Sequence, residues 1–194
     1  MKKTLTLSLL VIIFSTVWAQ EQTLVGKNAD NGGYGGLVWK LTSIKGTSAI
    51  IAGARGGWIL NHTFAIGGGG YSTISDIKAD LLNANNEPLY LILDYGGLEL
   101  EYIHNSDKLV HWTFHTLLGG GEVRLIEHDS DHEMESDNIF VLEPSFDVDL
   151  NITHWFRLGL GVSYRLVTGI EGEILENSDI SGVNGLLILK FGKF

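Results

Sequence analysis

Between residues 140 and 166 the chain alternates apolar and polar residues with a period of two. Phe140, Leu142, Phe146, Val148 and Leu150 hold the apolar places of one arm, and Phe156, Leu158, Leu160, Val162, Tyr164 and Leu166 those of the other. Glu143, Ser145, Asp147, Asp149, Arg157, Gly159, Gly161, Ser163 and Arg165 fall between them. Two such arms joined by a short turn at 151–154 predict a β-hairpin. A soluble strand buries its apolar face and wets its polar one. Arms this long, with small and charged residues on one face, suit the wall of a membrane barrel, where lipid touches one side and a polar lumen the other.

The same reading along the chain predicts eight strands near 33–43, 48–60, 63–74, 89–103, 110–125, 140–150, 156–166 and 180–191, with no helix and no linker, hence one domain. The connections after the second, fourth and sixth strands are short, and those after the third, fifth and seventh (75–88, 127–138 and 168–179) are long. Only the first breaks the alternation. Outer-membrane barrels have short periplasmic turns and longer outer loops, and an even strand number returns both termini to the periplasmic side. The fold class expected is therefore all-β, an eight-stranded antiparallel up-and-down transmembrane barrel.

Residues 1–19 read as a secretory signal, with Lys2 and Lys3 before an apolar run and Val17-Trp18-Ala19 as the cleavage site, which leaves 20–194 as the barrel domain. Export with no cysteine excludes a disulfide scaffold and thiol chemistry. Losing Lys2 and Lys3 leaves 11 of the 13 basic residues against 23 acidic ones, a formal charge of −12, which argues against nucleic acid as a partner.

On the alternation, Trp58, Phe64, Tyr102, Trp112, Phe156 and Phe191 point outward near the short turns, as an interfacial aromatic girdle does. The opposite phase sends Lys40, Arg55, Glu99, Glu101, His111, His115, Glu143, Asp147, Asp149, Arg157, Arg165 and Lys190 to the lumen. Glu122 and Arg124 join them if the Gly119–Gly121 run makes a bulge that shifts phase. Eight strands leave room inside for little more than side chains, so these charges are expected to pair across a closed polar core.

The signal, the girdle, the paired strands at 141–165 and the end Leu186-Leu-Ile-Leu-Lys-Phe-Gly-Lys-Phe194 resemble the small eight-stranded outer-membrane barrels of Gram-negative bacteria, the class of the OmpA transmembrane domain and OmpX. The resemblance implies outer-membrane lipid as surroundings and recognition of the strand ending at Phe194 by the barrel-insertion machinery. It departs from the family pattern at Phe191 and Phe194, which are three apart and cannot share a face, and at Asp94, which falls on the nominal lipid face.

Candidate chemistry is sparse. The acidic segment 127–137, with His128, His132 and six carboxylates, holds donors enough for a divalent cation, yet lacks the cadence of an EF-hand; a solvated acidic loop is the favoured reading. His111 and His115 share a strand face, but no Gly-x-Ser-x-Gly elbow accompanies them, and Gly67–Gly70 is not followed by a phosphate-loop lysine. No enzyme and no cofactor are expected. The expectation is a structural or surface-interaction barrel with an unidentified surface partner. A soluble lipocalin-like barrel holding a small apolar ligand and a narrow passive channel stand as alternatives.

Overall fold

A computed structural model describes residues 30–82, 88–127, 130–171 and 174–194, and the side chains of all these except 79–82, 127 and 130–135. The signal segment at 1–19 and His128 lie outside the described residues, as does the side chain of His132. The elements are β1 (Gly32–Ile44), β2 (Thr47–Leu60), β3 (Phe64–Thr73), β4 (Ile77–Leu82), β5 (Pro88–His104), β6 (Val110–Glu127), β7 (Ser130–Asn151), β8 (Phe156–Thr168), the four-residue helix α1 (Asn177–Ile180) and β9 (Gly182–Lys193). Every strand pairing is antiparallel. β1 pairs with both β2 and β9, and β3 pairs with β5, so eight strands close into a barrel with no free edge in its wall.

β4 is a ninth, short strand that the alternation did not predict. It lies beyond the end of β3 and pairs with the outer part of β5. α1 is likewise unpredicted; it sits in the long connection before β9, with a capping box between Glu176 and Asp179. The third correction concerns the acidic segment. It is no long loop, because β6 runs to Glu127 and β7 starts at Ser130, giving a paired ribbon that stands above the barrel.

Turns at the other end are tight. Asn61 and His62 both have positive φ between β2 and β3, the backbone twist that lets two antiparallel strands meet without splaying. The β2–β3, β5–β6 and β7–β8 turns and both strand termini share this end, as the connection lengths imply.

Outward positions carry the apolar residues over most of the wall. Leu37, Leu100, Phe146, Val148, Leu160 (60% exposed) and Leu187 all face away from the barrel. The girdle residues also face outward at the short-turn end, in two arcs: Phe64 meets Tyr102 at 5.3 Å and Tyr102 meets Trp112 at 5.7 Å, while Phe156 stacks on Phe191 at 4.9 Å. A water-exposed apolar belt of this extent would be a severe aggregation liability, whereas in lipid it is the solvated face.

The polarity then reverses without any change of phase. Pairing between β5 and β6 runs unbroken from His104↔Trp112 to Leu89↔Glu127, so Gly119–Gly121 makes no bulge. Glu122 and Arg124 remain outward, against the expectation that a bulge would turn them in. Asp94 is outward too, and Arg124 Nη2 lies 2.6 Å from its carboxylate. On these same strands the inward places change from Glu99 and His115 to Leu91, Leu93, Val123 and Leu125. Beyond the glycines, β5, β6 and β7 carry Asp94, Glu122, Arg124, Ser136 and Asn138 outward over an apolar interior, while Leu41, Ile50 and Val183 keep β1, β2 and β9 apolar on the outside.

Candidate functional site

The lumen is built in three layers. At the short-turn end Tyr34, Ile59, Ala65 and Ile103 form a small apolar cluster against which Phe194 packs. A charged layer follows. Above it an apolar core of Val38, Ile44, Ile51, Leu91, Leu93, Val123, Leu125 and Ile139 fills the outer half, closed over by Leu175 and by Ile180 of α1. The lumen charges therefore concentrate in the middle layer, with Arg165 reaching toward the outer end and Arg157 toward the short-turn end, rather than running evenly along its length as expected from the hairpin at 140–166.

Lys40, Arg55, Glu99, Glu101, Glu143, Asp147, Asp149, Arg157, Arg165 and Lys190 are all buried inside, five cations and five anions. Lys40 Nζ lies 2.8 Å from Glu143 Oε1. Arg55 reaches Asp147 at 3.2 Å and Glu101 at 3.6 Å, and Lys190 bridges Glu101 and Asp149 at 3.3 Å each. Three tyrosines make the seams between greasy and ionic layers. Tyr71 donates to Glu99 at 2.5 Å, Tyr95 to Glu143 at 2.7 Å, and Tyr34 to Glu101, each with its ring among apolar neighbours.

Among the described residues Arg165 has no carboxylate partner within ion-pair distance. Its guanidinium donates to the Ile180 carbonyl at 2.9 Å and to Asn184 Oδ1 at 3.1 Å, which ties the end of α1 to the wall. Arg157, at the opposite end, donates to the Ser106 carbonyl and hydroxyl and lies 3.9 Å from the Phe194 ring centroid.

Glycine makes the space these carboxylates occupy. A Cβ on Gly161 would come within 2.8 Å of the Phe146 carbonyl oxygen and closer still to Asp147 Oδ1. Gly161→Ala is expected to displace Asp147 from Arg55 and to cost about 1–3 kcal/mol. Gly70→Ala, whose Cβ meets nothing within 4 Å, should change stability little. Urea unfolding of both variants in the same lipid checks this, and equal midpoints would refute it.

Two clusters resemble reactive sites. Glu99, Glu101 and His115 place one ligand atom each within 4.8 Å of one another, the metal-like grouping among the described residues. Arg55 Nε, 3.6 Å from Glu101 and 4.0 Å from Glu99, already supplies positive charge there. His115 also bridges Ser145 Oγ, 3.2 Å from Nδ1, and Glu99 Oε2, 3.3 Å from Nε2. Sequence distance hid this serine, since Ser145 reaches His115 only through the β6–β7 register. The set has the order of an acyl-transfer triad, but all three side chains are buried from both lumen mouths and from the outer wall.

Phe191 and Phe194 part company, as their spacing requires. Phe191 faces outward in the girdle, and Phe194 turns inward, 6.3 Å from Tyr34. Beside it Lys193 pairs with Asp30 at 2.6 Å and holds that carboxyl below its usual range.

Comparison with protein-family models and with curated proteins finds no match. Comparison with solved structures finds small outer-membrane barrels. Neisserial surface protein A aligns over 87% of this chain and 100% of its own, with a TM-score of 0.59 at 13% identity. The N-terminal barrel of Pseudomonas aeruginosa OprF aligns over 84% and 98%, with a TM-score of 0.57 at 12% identity. The attachment invasion locus protein Ail of Yersinia pestis, crystallised with the heparin analogue sucrose octasulfate, aligns over 86% and 99%, with a TM-score of 0.50 at 10% identity. The chain has the closed eight-stranded antiparallel fold of these outer-membrane barrels.

Proposed function

We propose that this protein spans the outer membrane as a closed, non-enzymatic barrel and presents its outer third as a rigid surface-interaction platform. The carrying observation is the coordinated reversal of polarity: outward Leu98, Leu118 and Phe140 give way to Asp94, Glu122 and Asn138 where the interior turns from ionic to apolar. A single solvent boundary crossing the wall at that level explains both changes. Short turns and termini then face the periplasm, and β4, the β6–β7 ribbon and α1 face outside. The strand ending at Phe194, with Phe191 on its outer face, is the segment offered to the insertion machinery.

The three layers of buried side chains among the described residues argue against a channel and against a lipocalin-like pocket. The outer end also differs from a receptor for sulfated polyanions. Glu122, Asp137, Glu171, Glu176 and Asp179 stand there, so a cationic partner fits better than the sulfated sugar carried by Ail.

The absence of cysteine gives a clean test. Ser136→Cys on intact cells should react with a maleimide too bulky to cross the outer membrane. Asp107→Cys should react only after permeabilisation. The reverse pattern would invert the orientation, and recovery of the protein in a detergent-free wash would favour a soluble barrel. Planar-bilayer recordings are expected to show no conductance steps.

A further inference from the structure

Above Asp94 and Glu122 the outward face of β5 and β6 turns apolar a second time. The lipid-facing belt ends on these strands at the pair Leu98 and Leu118. The outward pairs above it are Asp94 with Glu122, then Ile92 with Arg124, then Tyr90 with Ile126. Charge therefore separates Ile92, Tyr90 and Ile126 from the belt. Ile74, in the link from β3 to β4, adds a lower wall and is 61% exposed. That link is held in place: the Ile74 amide donates to the Ile50 carbonyl at 2.9 Å, and the Ile50 amide donates to Ser75 Oγ at 2.9 Å. Between these elements runs a groove of about 170 Å³ whose walls include Ile74, Asp76, Tyr90, Ile92 and Ile126.

Apolar side chains on the water side of a charged boundary have no lipid to cover them, and apolar surface rimmed by polar residues is what interaction sites expose. From this geometry we infer that the patch docks a polypeptide segment of a partner protein that places one bulky apolar side chain between basic ones. The inference rests on the reading of the outer third as an interaction platform and names what that platform holds.

Charge selects the partner. Asp76 is exposed and has no ion pair among the described residues, Glu122 accepts from Ser136, and Glu133 stands opposite Ile126 in the β6–β7 register. The cations beside the patch are Lys78, opposite Tyr90 in the β4–β5 register, and Arg124, 2.6 Å from Asp94 and 3.8 Å from Glu122. Four carboxylates (Asp76, Asp94, Glu122 and Glu133) thus stand against two cations, a surplus of two negative charges. Basic groups flanking an apolar anchor meet that surplus, and an acidic segment is repelled by it. A groove wall already fixed by backbone hydrogen bonds adds little ordering cost to binding.

The test titrates acetyl-Lys-Phe-Lys-amide into the folded protein in phosphatidylcholine nanodiscs while the Ile92 and Ile126 methyl resonances are followed. The expected result is a saturable shift of both, which neither acetyl-Glu-Phe-Glu-amide nor acetyl-Lys-Gly-Lys-amide produces. Ile126→Ser, read on Ile92, should weaken binding by about tenfold, and Asp76→Lys by about threefold, in barrels whose gel mobility still shifts on heating. No saturable shift, or an equal shift with either control peptide, overturns the inference. So does a shift with maltotriose in place of the peptide, which assigns the patch to sugars, or a shift without peptide when two barrels share a disc, which assigns it to a second copy. Broadening of both methyls by lipid carrying a nitroxide on its chain would remove the water boundary and the inference together, whereas a failed titration without that broadening removes the inference alone. Binding does not depend on which side the patch faces, so the cysteine labelling and this titration fail separately.

Discussion

Glu143→Ala is expected to lower the unfolding free energy by about 3–5 kcal/mol, the cost of leaving a buried charge without its partner. Glu143 sits at the junction of the ionic layer and the outer apolar core. It accepts from Lys40 at 2.8 and 2.9 Å, Tyr95 at 2.7 Å, Ser163 at 2.6 Å and Asn184 at 3.2 Å. Its removal strands the Lys40 ammonium, whose remaining company is the Tyr95 hydroxyl and the Tyr71 ring, 3.5 Å from Nζ. A desolvated cation over an aromatic face recovers about 2 kcal/mol, less than the several kcal/mol of desolvation it must offset.

The double variant Lys40→Met with Glu143→Leu removes both charges together and should recover most of the loss, since a buried ion pair exchanged for packed apolar side chains is close to neutral. Equilibrium urea unfolding in lipid vesicles measures all three forms. A single-variant loss below about 1 kcal/mol would show that water reaches Lys40, and the interior would then not be closed.

Much of this layer is legible in the sequence. Strand parity is a local property, so Lys40, Glu99, Asp147 and Lys190 sort to the inside from sequence alone, and the girdle sorts to the outside. Parity cannot say which solvent lies beyond the wall. Val123 and Leu125 share the phase of His111 and His115, yet they pack in a core rather than touch lipid. A phase-shifting bulge at Gly119–Gly121 was the wrong remedy for Glu122 and Arg124, because the signal was the exchange of polarity between two unbroken faces.

The acidic run at 127–137 misled for a related reason. Its charge suggests a loop, but backbone pairing between β6 and β7 continues through it, and strand pairing tolerates charged side chains. Ser145 and the inward turn of Phe194 depend on contacts across the barrel, which no local spacing encodes.

Depth along the wall decides the remaining large effect. Leu160→Arg, in the middle of the apolar belt, is expected to cost about 2–4 kcal/mol in a bilayer, and Asn138→Arg, beyond the glycines on β7, about 0–1 kcal/mol. Leu160 and Asn138 are both outward and exposed, so burial in the protein cannot separate them; only the surrounding medium can. Val123→Asp provides the converse. It is inward and buried beside Leu125, and it should be destabilising where the outward neighbour Glu122 already tolerates a carboxylate. A soluble barrel would accept arginine at 160 at least as well as at 138, since its outer wall would be wet throughout. Equal unfolding free energies for those two variants in lipid would therefore remove the boundary, and with it the assignment of Glu122, Arg124 and Asp94 to the water above the membrane.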